Sequence, residues 1–302
     1  MKIITTLFLG VLGFNCFAQL TVKPNGTENN YIYVRGEVLF VEEEINLEEN
    51  NDPGVANIYL RYEGQLIQGR TDDSQNTGDG VLSVFQEGTV DNYAYNYWGA
   101  PVGLADGSTG NTPFGIGLLY SPSTTLASLQ TSAIGGYNGL SSNMSAGTPA
   151  SIAKYWIWRF SGDYDTNTAS EYADWIHVLD NNTVLPGEGF TMKGVSGSDA
   201  LFVDGVQNNA LSNQRYDFRG RPHDGLIEIP VVAGQEYLVG NPYPSALDLS
   251  EFLLENSGST TFTSCIDGST SITRNGATTG SAYFWDSDPA VQSHNLVNYK
   301  GG

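Results

Sequence analysis

From Tyr31 to Gln86 short apolar runs alternate with polar, glycine-containing stretches: Val38 to Val41, Ile45 to Leu47, Ile58 to Leu60, Leu66 to Ile67 and Val81 to Phe85. Runs this short, bounded by turn-forming residues, predict strands. Val38 and Ile58 lie 20 positions apart, Ile45 and Leu66 21, and Ile58 and Leu82 24. That drifting period is near that of solenoid coils, so residues 19–90 read either as two or three β-solenoid rungs or as a meander of hairpins. Glu48 to Gly54 and Arg70 to Gly80 are connecting loops in both cases.

The pattern changes between Gly88 and Asp91, where a boundary is placed, so that residues 91–302 form a second unit. Gly103 to Gly147 is rich in Gly, Ser and Thr and predicts long loops or a decorated insertion. Lys154 to Phe160 alternates, which predicts an inward face of Trp156, Trp158 and Phe160 and an opposite one of Tyr155 and Ile157. Further strands are predicted at Trp175 to Leu179, Phe190 to Lys193, Leu201 to Val203, Tyr216 to Phe218, Leu226 to Val232, Tyr237 to Val239 and Ala282 to Trp285. Many short strands with turns between them make an all-β chain: a β-sandwich or jelly roll behind a strand-rich N-terminal segment.

One segment breaks the rhythm. In Leu238 to Leu249 a strand runs into Asn241-Pro242-Tyr243-Pro244, where two prolines fix φ on either side of Tyr243 and withhold two donors, so the strand must stop. Asp248, with Glu251 three residues on, predicts a capping box that opens a short helix to Asn256. Tyr283 to Asp286, including Trp285, forms a second compact motif.

Lys2, the apolar run from Ile3 to Phe14 and Cys16-Phe17-Ala18 before Gln19 predict a secretory signal peptide cleaved near Ala18. The run is shorter than the roughly 20 residues that cross a bilayer, and no transmembrane segment is expected later in the chain. The product is expected outside the cell, secreted or on its surface. A formal net charge of -20 argues against nucleic acid as a partner and favours cations. Only Cys265 remains after cleavage, so no disulfide framework supports the core.

Tyr95 to Trp98, Trp156 to Phe160, Leu185 to Gly194, Phe218 to Gly225, Gly240 to Ser245 and Tyr283 to Asp286 together resemble large surface proteins exported through the type IX secretion system. The resemblance runs from about Tyr31 to the end. It implies a β-rich adhesion or repeat module with surface attachment through a further C-terminal sorting region, and it carries over no catalytic residue.

Candidate chemistry is limited. Asp163, Asp165, Asn167 and Glu171 place oxygens at mostly alternate positions of one loop, as a calcium-binding loop does, although Thr168 stands where an EF-hand needs Gly and Asp174 where it needs a bidentate Glu. Calcium is therefore the candidate cofactor, with a solvated turn as the competing reading. Five Trp and 17 Tyr raise the prospect of a sugar platform, with Tyr155, Tyr164, Tyr172 and Tyr243 the candidate exposed rings. No nucleophile elbow, zinc helix or phosphate loop is present, and Gly115-Ile116-Gly117 reads as a turn. His177 sits in a strand pattern, while His223 and His294 are placed in loops. The expectation is a non-enzymatic binding or adhesion module for a glycan or a matrix protein. The alternative is a secreted carbohydrate-active enzyme with paired carboxylates.

Overall fold

In a computed structural model of the chain, the N-terminal apolar runs lie on one another in parallel. The structure describes residues 19–134, 145–162, 172–178, 183–211, 213–256, 276, 278, 281–288 and 293–300. The first strands are β1 (Leu20–Val22), β2 (Ile32–Arg35), β3 (Val38–Val41), β4 (Ile45–Leu47), β5 (Ile58–Arg61), β6 (Gln65–Gln68) and β7 (Leu82–Glu87). Leu20 is level with Ile45, Val38 with Gln65, Ile32 with Ile58 and Ile58 with Leu82, all in parallel register. Three parallel ladders repeating about every 25 residues are the coils of a short β-solenoid. Val22, Val34, Val41, Ile45, Leu47, Ile58, Leu60, Leu66 and Leu82 point inward and fill it. Buried amides tie successive coils together: Asn57 donates to the carbonyls of Val22 and Glu48, and Asn76 accepts from Ile45 N and donates to Pro222 O.

The remaining strands are β8 (Tyr95–Gly99), β9 (Val102–Gly103), β10 (Leu119–Pro122), β11 (Ser128–Gln130), β12 (Ser132–Ile134), β13 (Ser151–Ala153), β14 (Ile157–Phe160), β15 (Trp175–His177), β16 (Gly189–Lys193), β17 (Asp199–Val203), β18 (Val206–Asn209) and β19 (Arg215–Pro222). After α1 (Leu249–Asn256) come β20 (Ser281–Asp288) and β21 (Ser293–Lys300), an antiparallel pair. The solenoid sheet does not stop at Gly88. It continues from β7 into antiparallel β19 and on to β10 and β11, giving the order β11-β10-β19-β7-β5-β2.

A second, antiparallel sheet of order β15-β14-β16-β8 packs on this one. Trp98 lies 5.7 Å from Tyr216 and 5.8 Å from Phe218 between ring centres, and Phe114 stacks on Phe190 and Phe218 at 5.4 and 5.6 Å. Each of the three buried Phe rings contributes about 1.5–3 kcal/mol by leaving water. The chain is therefore all-β and sandwich-like, with a single helix of any length among the described residues.

The opposite face of β19 is polar and equally buried. Asp217 accepts from the Ser83 and Ser128 hydroxyls at 2.6 Å each, Arg61 donates to the Thr125, Leu60 and Ser83 carbonyls, and the Arg61 guanidinium stands 3.5 Å over the Phe85 ring. Loops cover this layer, with Gly54 O taking the Arg219 donor and Gly110 O an Arg221 one.

Several expectations need correction. The 20- and 21-residue spacings join residues on different sides of the coil; of the three intervals noticed, only Ile58 to Leu82 is a true ladder. Lys154–Trp156 is a 3-10 turn, so Ile157 enters the core opposite Met192, and Trp158 and Phe160 face away from it. Leu226 to Val232 forms no ladder, and Tyr237 and Val239 make only isolated bridges, to Ser161 and Glu188. Within Gly103 to Gly147, short strands β10, β11 and β12 are found, and His294 belongs to β21 instead of a loop.

Candidate functional site

The double-proline turn is built from both ends. Asn241 Oδ1 accepts from Tyr243 N at 3.1 Å, and its Nδ2 donates to Ser245 O at 2.6 Å, so the side chain satisfies one backbone donor and one backbone acceptor of a turn in which Pro242 and Pro244 have no N–H to offer. Pro244 O accepts from Leu66 N, which pins the turn to β6. The Tyr243 hydroxyl donates to Gly225 O at 2.8 Å, and burial pushes its pKa up. Gly240 meets β8 backbone to backbone: a Cβ on Gly240 would lie 2.6 Å from Gly99 Cα, and one on Gly99 would lie 2.5 Å from Asn241 O. Only paired glycines allow that approach.

Asp248 caps the helix as the spacing predicts, its Oδ1 accepting from Glu251 N at 3.1 Å and its carbonyl from Phe252 N. Leu253 is buried, which docks α1 and leaves Glu251 and Glu255, one turn apart, on another side.

Between β8, the turn and α1 lies a groove of about 1170 Å³. Rings line it from Tyr95, Tyr97, Trp98, Tyr243 and Phe252, and polar groups from Asn96, Asn241, Asp248, Glu251 and Glu255. Its size suits a ligand larger than most single small molecules. Leu226, Ile227 and Ile229, read from sequence as a strand, instead form an extended wall, with the Ile229 side chain against Gly187. Gly187 has a φ of +87°, in the left-handed region, and has no room for a Cβ. Tyr97 is 38% exposed, while Trp98 forms the floor, its indole N–H without a partner among the described residues.

Among the described residues that line the groove, charge is one-sided. Arg70 is the cation that lines it, and that guanidinium already bonds Glu43 and Glu44 at 3.1 Å and Asp72 at 2.8 Å. Behind the turn, His223 is buried, its Nε2 2.8 Å from Thr112 O and its Nδ1 3.2 Å from Ala100 O. Burial lowers its pKa, against an opposing pull from those carbonyls and that of Pro242. Neighbouring Asp224 accepts from Gln68 Nε2, and burial raises its pKa.

The expected site residues separate into groups. Asn241, Pro242, Tyr243, Asp248 and Glu251 come together in the groove, and Pro244 anchors it. Tyr155 lies on the 3-10 turn before β14, its ring centre 4.6 Å from His177. Tyr172 opens a 3-10 turn before β15, and Trp285 and Asp286 lie on β20. Asp163, Tyr164, Asp165, Asn167 and Glu171 fall outside the described residues, as do the signal-peptide residues 1–18. Among the described residues no group of three His, Cys, Asp or Glu side chains is placed to hold a metal ion, and no helix is long and apolar enough to cross a membrane. Sequence reasoning missed Tyr95, Tyr97 and Glu255 as groove residues; the Gly99–Gly240 contact that aligns β8 with the turn has no local signal.

These features define a class: an all-β sandwich that carries a solenoid-derived sheet and a groove at its β8 edge. A family model described as a domain of unknown function, DUF8693, matches residues 136–301, more than half of the chain, which belongs to that family. No curated protein matches the chain, and no solved structure does.

Proposed function

We propose that the chain is a secreted or cell-surface binding module that acts without catalysis, and that the groove beside β8 holds a glycan. The observation that carries this reading is the mixture of surfaces in one concavity: Tyr95, Tyr97 and Tyr243 offer flat rings, with Asn96, Asn241 and three carboxylates around them. Rings stack on the apolar faces of pyranoses, while amides and carboxylates bond their hydroxyls. The signal-like N-terminus and the resemblance to type IX cargo support an extracellular, adhesive setting. Calcium binding at the Asp163 to Glu171 loop is an accessory proposal, and millimolar calcium should then raise the melting temperature relative to chelator.

A secreted carbohydrate-active enzyme is the second reading, favoured by Asp248, Glu251 and Glu255 lining the same groove. Passing the purified chain over immobilised polysaccharides, with an assay for new reducing ends, tests both. Retention without turnover, weakened several-fold by Tyr97→Ala, is the expected result. New reducing ends would replace the module by the enzyme, and no retention on any polysaccharide would remove the glycan reading.

A further inference from the structure

The face of the four-stranded sheet that points away from the core carries its own row of side chains. Trp98, Phe190, Ile157 and Met192 turn inward. Because side chains alternate along a strand, Tyr97, Thr191, Trp158 and His177 turn outward. The pairing puts these four in one line across the sheet: Tyr97 opposite Thr191, Thr191 opposite Trp158, Trp158 opposite His177. Tyr97, at one end, also lines the groove. Tyr97 and Trp158 are two strands apart, about 10 Å, with small Thr191 buried between them, so that the two rings and not Thr191 offer the contact surface. That interval is close to the disaccharide repeat of an extended, β-linked polysaccharide. The track is firmly supported: Tyr155 meets Trp158 edge-on at 5.9 Å and His177 at 4.6 Å between ring centres, and His177 stands against Trp158.

The electrostatics add a second, independent constraint. Asp248, Glu251 and Glu255 line the groove end, Arg70 there is already held by three carboxylates, and Lys193 on the outward face lies 3.8 Å over the Trp156 ring. The groove end therefore repels uronic acids and attracts ammonium groups, whereas Lys193 keeps its positive charge beside the track, so the preference for amines is set at the groove end.

Resting on the glycan reading above, we infer that the ligand is a β-linked polysaccharide bearing free amines, a glucosamine polymer, which enters the groove at Asp248 and Glu251 and continues across the sheet over Tyr97 and Trp158. Lengthening a ligand from two sugars to six therefore adds contacts with Trp158 that a disaccharide in the groove does not make. Asp248→Asn keeps a side chain that can cap α1 while removing its charge.

The test is titration calorimetry near pH 6 with β-1,4-linked hexamers of glucosamine, glucose and a uronic acid, and with the glucosamine dimer. The glucosamine hexamer should bind at least tenfold tighter than the glucose hexamer. That advantage should vanish in 0.5 M salt, where screening lengths shrink to a few Å, and in the variant Asp248→Asn/Glu251→Gln/Glu255→Gln. Trp158→Ala should weaken the glucosamine hexamer about tenfold and leave the dimer unchanged, with Trp158→Phe recovering most of the loss. Equal affinity for the neutral hexamer, or preference for the acidic one, would overturn the amine assignment and leave glycan binding standing. A Trp158→Ala chain that binds dimer and hexamer as the parent does would overturn the track. Absence of binding by all three hexamers would overturn the glycan reading itself.

Discussion

At the scale of single residues, the interior holds polar groups whose worth can be measured one at a time. Tyr216 is fully buried between the sheets, its ring against Trp98, and its hydroxyl has no hydrogen-bond partner among the described residues. Burial accordingly pushes its pKa well up. An unsatisfied buried hydroxyl costs about 1–3 kcal/mol, so Tyr216→Phe should leave the ring packing intact and raise stability by up to about 1 kcal/mol. A clear fall in the urea midpoint would show that the hydroxyl is bonded after all. His223 makes the opposite kind of statement. Burial holds its folded pKa below the ordinary imidazole value of 6.5, so on acidification the unfolded imidazole takes a proton first and stability is lost as pH drops below 6.5. Asp224 shifts upward from 3.8, which places its effect lower on the pH scale and gives it the reverse slope: protonating it favours the fold. Unfolding free energy measured at pH 7 and pH 5.5 should therefore fall in the parent chain, and His223→Gln should fall less over the same interval. An equal slope in the two would assign the acid sensitivity to other groups.

At the scale of elements, the groove depends on one backbone contact and one cap. Gly240→Ala would set a methyl 2.6 Å from Gly99 Cα, where only backbone could yield. A cost of about 1–3 kcal/mol is expected from the forced displacement, with ligand retention lost together with it as the turn leaves β8. Asp248→Ala should cost about 1 kcal/mol, while Asp248→Asn should cost little, because Asn serves the cap equally. Thermal melts of the three variants check the order; a harmless Gly240→Ala would mean that the turn and β8 are not held in contact. Much at this scale was legible in sequence. The solenoid strands were found because inward apolar residues recur in short runs, and the turn and helix because proline and Asp248 act locally. What escaped depends on distant partners. Parallel ladders were mispaired because loops of unequal length between the strands blur the period. The Trp158 face was inverted because the 3-10 turn at Lys154–Trp156 resets the alternation. Leu226 to Val232 reads as a strand by hydrophobicity, yet Pro230 lacks a donor and the segment serves as a wall. Tyr216 to Phe218 reads as a strand and is one; the ladder runs on over Arg215 to Pro222 because Glu87, Asp217 and the carbonyls of Val203 and Gly54 receive its guanidinium groups.

At the scale of the whole molecule, the continuous sheet makes a claim about cooperativity. Strand β7 closes the solenoid on one side and pairs with β19 on the other, over six residues from Leu82 to Glu87. Inward residues of the coils and of the sandwich also form one core, from Val22 through Leu82 to Trp98 and Phe218. Losing either part would strip a full strand edge and a buried apolar surface from the other. Both costs are far larger than the few kcal/mol that separate folded from unfolded chains. Four of the five tryptophans lie on β8, β14, β15 and the 3-10 turn before β14, and the fifth on β20, so none lies in the coils and indole fluorescence reports mainly the sandwich, whereas far-ultraviolet dichroism reports strands in both parts. Under urea the two signals should therefore trace one transition with a common midpoint and slope, as a two-state unit requires. Phe218→Ala, which removes a ring shared by Trp98 and Phe114, should lower both midpoints together by the same amount, corresponding to about 3–5 kcal/mol. A dichroism change that survives after fluorescence has reached its unfolded value would mean that the coils stand alone, and that β7 to β19 is a seam between two units.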